Sequence, residues 1–159
     1  KERLTDIWRY KPSFRVCCIG GGPGSDALGL TKFLRDTGLV PTHRLECSIF
    51  DLRPEWEDTW QKITRSNASD EFPPMTYFSG DMTRTGAGLS PGELLKVRSA
   101  DVVSFVKFFS TVANSIRKDS RRGNLLLEIF GKLKPGALVF YIDNRHGKIQ
   151  KEFKSIASS

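Results

Sequence analysis

The chain predicts an α/β fold: a doubly wound, mostly parallel sheet with helices on both faces, in a single domain over residues 1–159 with its core at 14–143. Two observations carry that expectation. Five short apolar runs recur along the chain, separated by segments whose apolar residues repeat at helical spacing. The first run, Val16 to Ile19, leads directly into Gly20-Gly21-Gly22-Pro23-Gly24, a turn too rich in glycine to continue a strand.

Taken in order, the first strand lies in Phe14–Ile19. Ser25 or Asp26 is expected to cap the helix after the turn, with Ala27, Leu30 and Leu34 on one face and Gly38 as its stop. Residues 45–51 form a second strand ending in Asp51. Pro54 suits the first turn of the next helix, whose Trp56, Trp60 and Ile63 share a face and read as core. Residues 75–81 make a third strand, again ending in an acid, Asp81. A short helical piece follows around Glu93–Val97, then a fourth strand over 100–106. Residues 124–133 carry an apolar face at Leu126, Ile129, Phe130 and Leu133. Lys134-Pro135-Gly136 ends that helix, and residues 137–143 supply the fifth strand.

Strand, glycine turn and helix in succession open a nucleotide-type binding unit, where the ligand lies against the loop and the helix N-terminus. The dinucleotide fingerprint G-x-G-x-x-G is incomplete, because Ser25 stands where the third glycine belongs. The Gly-Lys-Ser/Thr of a phosphate-binding ATPase loop is absent after the turn. In an open parallel sheet, ligands bind outside the carboxyl ends of the strands, which is where Asp51 and Asp81 fall. A carboxylate ending the second strand offers two acceptor oxygens, one for each hydroxyl of a ribose.

With 38% hydrophobic and 27% charged residues, the composition is that of an ordinary globular chain. No run approaches the ~20 apolar residues of a membrane span and no secretory segment opens the chain, so an intracellular setting, cytoplasmic or nuclear, is expected. Cys17, Cys18 and Cys47 are odd in number and sit in apolar runs. They read as free buried thiols, and no metal site is expected from their spacing.

The chain resembles the class I S-adenosylmethionine-dependent methyltransferases, a Rossmann-like family, over roughly residues 14–143. The resemblance rests on Val-Cys-Cys-Ile-Gly-Gly-Gly-Pro-Gly24, Ile-Phe-Asp51, Ser-Gly-Asp81-Met82, Ala-Asp101-Val-Val and Leu127-Glu-Ile-Phe-Gly-Lys-Leu-Lys-Pro-Gly-Ala-Leu-Val139. It implies S-adenosylmethionine as cofactor. Gly20, Gly21, Gly22 and Gly24 would pack against its methionine part, and Asp51 would hold the ribose with Leu52 beside the adenine. Asp81 would accept from the adenine amino group and the Met82 backbone would pair with the ring. The chain departs from the pattern in two places. Cys17, Cys18 and Ile19 stand where an acid is frequent, and only 17 residues follow Ile142 where the family adds a sixth and an antiparallel seventh strand. Either the chain is a fragment of a longer protein, or the expected sheet is shortened at its C-terminal end. A nicotinamide-dependent oxidoreductase is disfavoured by the missing glycine and by Lys-Pro-Gly before the fifth strand.

No catalytic residue is assigned, since methyl transfer asks the protein mainly for alignment and electrostatics. The segment after the fourth strand contains neither Asn/Asp-Pro-Pro-aromatic nor Pro-Cys, which argues against methylation of base amines or pyrimidine carbon in the usual ways. Lys107, Phe108 and Phe109 are the acceptor-side candidates there, the phenylalanines as stacking surfaces or as core. Charge is divided unevenly: residues 1–81 carry 11 Lys/Arg and 12 Asp/Glu, residues 82–159 carry 14 and 6. Within the basic half, Arg117, Lys118, Arg121 and Arg122 cluster before a helix and fit an anionic partner such as RNA. RNA is thus the leading acceptor. A protein or small-molecule acceptor, a partner protein completing the site, and a non-catalytic binding or scaffold subunit are the alternatives.

Overall fold

A computed structural model describes residues 4–66, 73–84, 89–119, 124–144 and 147–157. Helix α1 (Leu4–Arg9) precedes β1 (Phe14–Ile19), α2 (Ser25–Asp36), β2 (Leu45–Asp51), α3 (Glu55–Ser66) and β3 (Met75–Ser79). Helix α4 (Pro91–Arg98), β4 (Val102–Val106), α5 (Phe108–Lys118), α6 (Asn124–Lys132), β5 (Leu138–Ile142) and α7 (Gly147–Ala157) complete it. The strands form one sheet in the order β3-β2-β1-β4-β5, and every pairing is parallel. The winding therefore runs outward through β2 and β3, then crosses β1 to β4. That reversal opens a crevice between the carboxyl ends of β1 and β4, where such sheets bind ligands.

Period-two alternation assigns each strand residue to a face. Phe14, Val16 and Cys18 of β1 join Leu45, Cys47 and Ile49 of β2 in a core shared with Ala27 and Leu34 of α2. Cys17, Ile19, Phe50, Val103 and Phe105 face the other way, into a core with Val97, Phe109, Leu126 and Ile129. Both faces of β1 are thus covered, which explains its uninterrupted apolar run. The three cysteines are buried and free, and burial pushes the Cys17 and Cys47 thiols up to about 12. Helix α7 is fastened by Phe153, whose ring meets those of Phe105, Phe109 and Phe130 edge-on and stacks on Tyr141.

The elements differ from the sequence expectation in instructive places. Gly24, not Ser25 or Asp26, occupies the N-cap of α2, at φ +88°, because only a left-handed residue turns the chain into the helix there. Asp26 instead lies in the first turn, where its carboxylate accepts from the buried Ser104 hydroxyl on β4 at 2.6 Å. Helix α4 begins earlier than expected, at Pro91. Ser90 and Glu93 form a reciprocal capping box there, a signal present in Ser-x-x-Glu but not used. Strand β3 ends at Ser79, so Asp81 sits in the turn beyond it. Among the described residues, no helix is long and apolar enough to cross a membrane.

Candidate functional site

A cleft of about 520 Å³ lies over the crevice between β1 and β4. Gly20 and Gly22 form its floor, Asp51 and Leu52 come from the end of β2, and Asp81 and Met82 from the turn after β3. Lys107 and Phe108, at the end of β4 and the start of α5, close the far wall. The fold therefore gathers into one cavity residues that span nearly ninety positions of sequence.

The glycine loop owes its shape to two kinds of contact. Gly20, Gly22 and Gly24 all have positive φ (67°, 49° and 88°), which side-chain-bearing residues adopt at a cost of about 1–2 kcal/mol. Gly21 and Gly24 face downward into the protein. A Cβ at Gly21 would stand 2.9 Å from Cys18 and Ile49, and one at Gly24 2.9 Å from Ile49. At Gly20 it would be 2.3 Å from the Phe108 ring, so the loop and α5 meet here without room for a methyl group. Gly22 differs, since its nearest neighbour is Trp56 at 3.9 Å and it opens to the cleft. Gly20 and Gly22 thus line the cavity, whereas Gly21 and Gly24 seat the loop.

Asp51 ties this loop to β2. Its Oδ2 accepts the Gly22 N–H at 3.0 Å and its Oδ1 accepts the Arg53 N–H at 3.0 Å. An ionised carboxylate has about four acceptor positions, so each oxygen keeps one for a ligand hydroxyl. From below, the Tyr77 hydroxyl donates to the Gly22 carbonyl at 3.0 Å. Asp81 is more heavily engaged. Its Oδ1 accepts both the backbone N–H (3.0 Å) and hydroxyl (2.6 Å) of Thr83, and Arg84 lies 3.6 Å from Oδ2. Leu52 is 66% exposed at the rim, an apolar side chain largely open to solvent, whereas Met82 is buried.

The acceptor-side candidates separate. Phe108 is buried against Gly20 yet lines the cleft, while Phe109 is only 1% exposed and packs edge-on against Phe153 in the core. Lys107 adopts φ +58°, a left-handed conformation rare for lysine, and its ammonium donates to the Asn144 side chain. Asp143 accepts the Ser110 N–H at 2.8 Å, so the end of β5 caps α5. Burial would raise the Asp143 carboxyl, but its bonds with Ser110 and Asn144 and nearby Lys107 outweigh that and hold it below the ordinary range. Arg117 lies nine residues beyond Phe108, about 13 Å along α5. Its Nε and Nη2 donate to the two Glu152 carboxylate oxygens, each at 3.0 Å, its Nη1 donates to the Asn114 side chain at 3.2 Å, and Lys118 ends the same helix. Arg121 and Arg122 lie outside the described residues.

Three side chains have places in the structure that the sequence reading did not assign to them. Trp56 was expected in the core, but it stands beside Gly22 and lines the cleft, while Trp60 one turn on is buried. The difference is one of position: Trp56 lies in the first turn of α3, at the carboxyl edge of the sheet. Tyr77 gave no signal beyond its place in a strand. Asp101, at the opposite edge of the sheet, is bonded by Lys11, Lys134 and the Arg15 N–H, and serves the fold.

No family model and no curated protein matches the chain. Solved structures do. A SAM-dependent methyltransferase from Methanosarcina mazei is 16% identical, with a TM-score of 0.54 over 96% of this chain and 63% of its own. A glycopeptide N-methyltransferase complexed with S-adenosyl-L-methionine is 19% identical, with a TM-score of 0.51 over 86% and 50%. An rRNA methylase from Streptococcus thermophilus is 11% identical, with a TM-score of 0.53 over 96% and 74%. The chain spans less than two thirds of the length of the first two. With its five parallel strands in the order β3-β2-β1-β4-β5, the chain has the core fold that these S-adenosylmethionine-dependent methyltransferases share.

Proposed function

We propose that this cleft binds S-adenosylmethionine and that the protein transfers its methyl group to RNA. The observation that carries the cofactor reading is the Asp51–Gly22 arrangement: a carboxylate with free acceptor positions, fixed beside a glycine that lines the cleft with only Trp56 near it, at 3.9 Å. A ribose fits there, since its two hydroxyls match the two oxygens. Exposed Leu52 offers an apolar surface for a base, and Gly20 under Phe108 leaves backbone rather than side chain for the ligand to approach. The cavity volume lies within the range of small-molecule sites. When bound, the cofactor supplies an electrophilic methyl group on a sulfonium. The chain's own work is then to hold the ribose at Asp51 and to exclude water with Phe108, Val112 and Trp56.

The RNA reading rests on charge: the surplus of Lys and Arg is confined to residues 82–159, the half that forms the β4–β5 side of the cleft. Titration with S-adenosylmethionine, S-adenosylhomocysteine and NAD tests the cofactor, and labelled-methyl transfer to total RNA tests the acceptor. Arg117 is occupied by Glu152, so the salt dependence should come from its neighbours. Replacing Arg121 and Arg122 with Gln should flatten the log–log salt slope of RNA binding by about 1.4, at about 0.7 per single-strand phosphate contact. Cofactor affinity should stay the same. Identical slopes, or no RNA binding at low salt, would turn the reading toward a protein or small-molecule acceptor. Cofactor binding without transfer to any of these would favour a scaffold subunit.

A further inference from the structure

We infer that Tyr77 is a positioning residue of the cofactor site, acting through the Gly22 carbonyl without touching the ligand. This rests on the cofactor reading above. Gly20–Gly24 contains four glycines in five residues, three of them at positive φ, so the isolated segment has many backbone conformations of similar energy. One of those residues is held at both ends. The Gly22 N–H is taken by Asp51 from the end of β2, and its C=O by the Tyr77 hydroxyl from β3, each at 3.0 Å. Tyr77 pairs in register with Ile49, whose side chain lies under the loop, and it does not line the cleft. Its hydroxyl therefore reaches the loop from beneath while the cleft lies above.

The clamp matters because Asp51 has two tasks. The same carboxylate that receives the Gly22 N–H faces the cavity, so the orientation of its oxygens depends on where that N–H stands. The Gly22 N–H belongs to the Gly21–Gly22 peptide and its C=O to the Gly22–Pro23 peptide, so the two bonds together restrain the φ and ψ of this glycine. Without the Tyr77 bond one of the two restraints is gone, Gly22 gains torsional freedom, its N–H is held less firmly at Asp51, and the ribose acceptors lose part of their fixed direction. Burial, with Asp26 and Asp51 nearby, pushes the Tyr77 phenol up, so the hydroxyl remains a donor through the neutral range.

The test is Tyr77→Phe, which removes the donor and keeps the ring. Calorimetry with S-adenosylhomocysteine should show affinity about 3- to 10-fold weaker, the value of one neutral hydrogen bond. In the ligand-free protein, amide exchange should quicken at Gly22 and Gly24 while the central strands keep their protection. In an Asp51→Ala background, where the other half of the clamp is gone, Tyr77→Phe should cost less affinity than in the parent. Unchanged affinity with unchanged exchange at Gly22 would overturn the assignment, as would fully additive losses or a uniform rise in exchange across the sheet. If the parent itself fails to bind S-adenosylhomocysteine, the cofactor reading fails. Tyr77 is then decided by exchange alone, and protection at Gly22 equal to the parent's would overturn the clamp.

Discussion

Replacing Asp51 with Ala separates its observed task, holding the Gly22 and Arg53 N–H groups, from the proposed one, holding a ribose. In the ligand-free protein the change bares the Gly22 and Arg53 N–H groups, which lie 3.0 Å from its oxygens. Both border an open cleft, so water can replace the carboxylate and the loss of stability should stay near 1–2 kcal/mol. If the carboxylate holds the ribose as proposed, the variant should also lose two charge-assisted bonds in the complex, each worth roughly 1.5–3 kcal/mol before water replaces part of it. A net 2–4 kcal/mol follows, which is about a 30- to 1,000-fold rise in Kd for S-adenosylhomocysteine. Asp51→Asn should fall between, because its single acceptor oxygen can serve a hydroxyl while its amide meets one of the N–H groups as a second donor. The assay is isothermal calorimetry on both variants, with thermal melting to verify folding. A folded Asp51→Ala protein with parental affinity would refute the ribose assignment, and with it the cofactor site.

Gly20→Ala places a methyl group 2.3 Å from the Phe108 ring at a residue with φ +67°. It should cost about 2–4 kcal/mol, from left-handed strain plus displacement of the buried ring. Pairing it with Phe108→Ala should return part of that loss, read as a double-mutant cycle by chemical denaturation. Strictly additive losses would mean that the loop and α5 do not meet. At the opposite edge, burial tends to raise the Asp101 carboxyl, but Lys11, Lys134 and the Arg15 N–H together hold it below the ordinary carboxylate value. A depressed folded value contributes stability that is complete above the unfolded carboxyl pKa near 4 and is lost as pH falls through the folded value. Melting temperature should therefore drop on acidification below about pH 4, and Asp101→Asn should flatten that part of the profile. An unaltered acid limb in Asp101→Asn would assign the loss to other carboxylates.

The sequence by itself determined the strand, the glycine turn and the helix of residues 14–38, and the alternation of five strands with helices. Those features follow from local periodicity and from glycines that only a left-handed turn can use, so near neighbours suffice to express them. Asp51 was legible for the same reason: an acid that ends an apolar run falls at the carboxyl edge of a parallel sheet. What the tertiary structure decided depends on which strands become neighbours. Tyr77 reads in sequence as one more aromatic strand residue. It meets Gly22 only because β3 lies two strands from β1 on the same side of the crossover. Adjacent residues took opposite fates by the geometry of α5, Phe108 lining the cleft over Gly20 and Phe109 turning into the core beside Phe153. Trp56 and Trp60 share a helix face, yet Trp56, in the first turn of α3, borders the cleft and Trp60 is buried. Arg117 looked like a phosphate contact among basic neighbours until α7 set Glu152 against it. In each case periodicity marks the face of an element, whereas the partner across a gap of thirty or more residues is chosen by packing of the whole sheet and its helices.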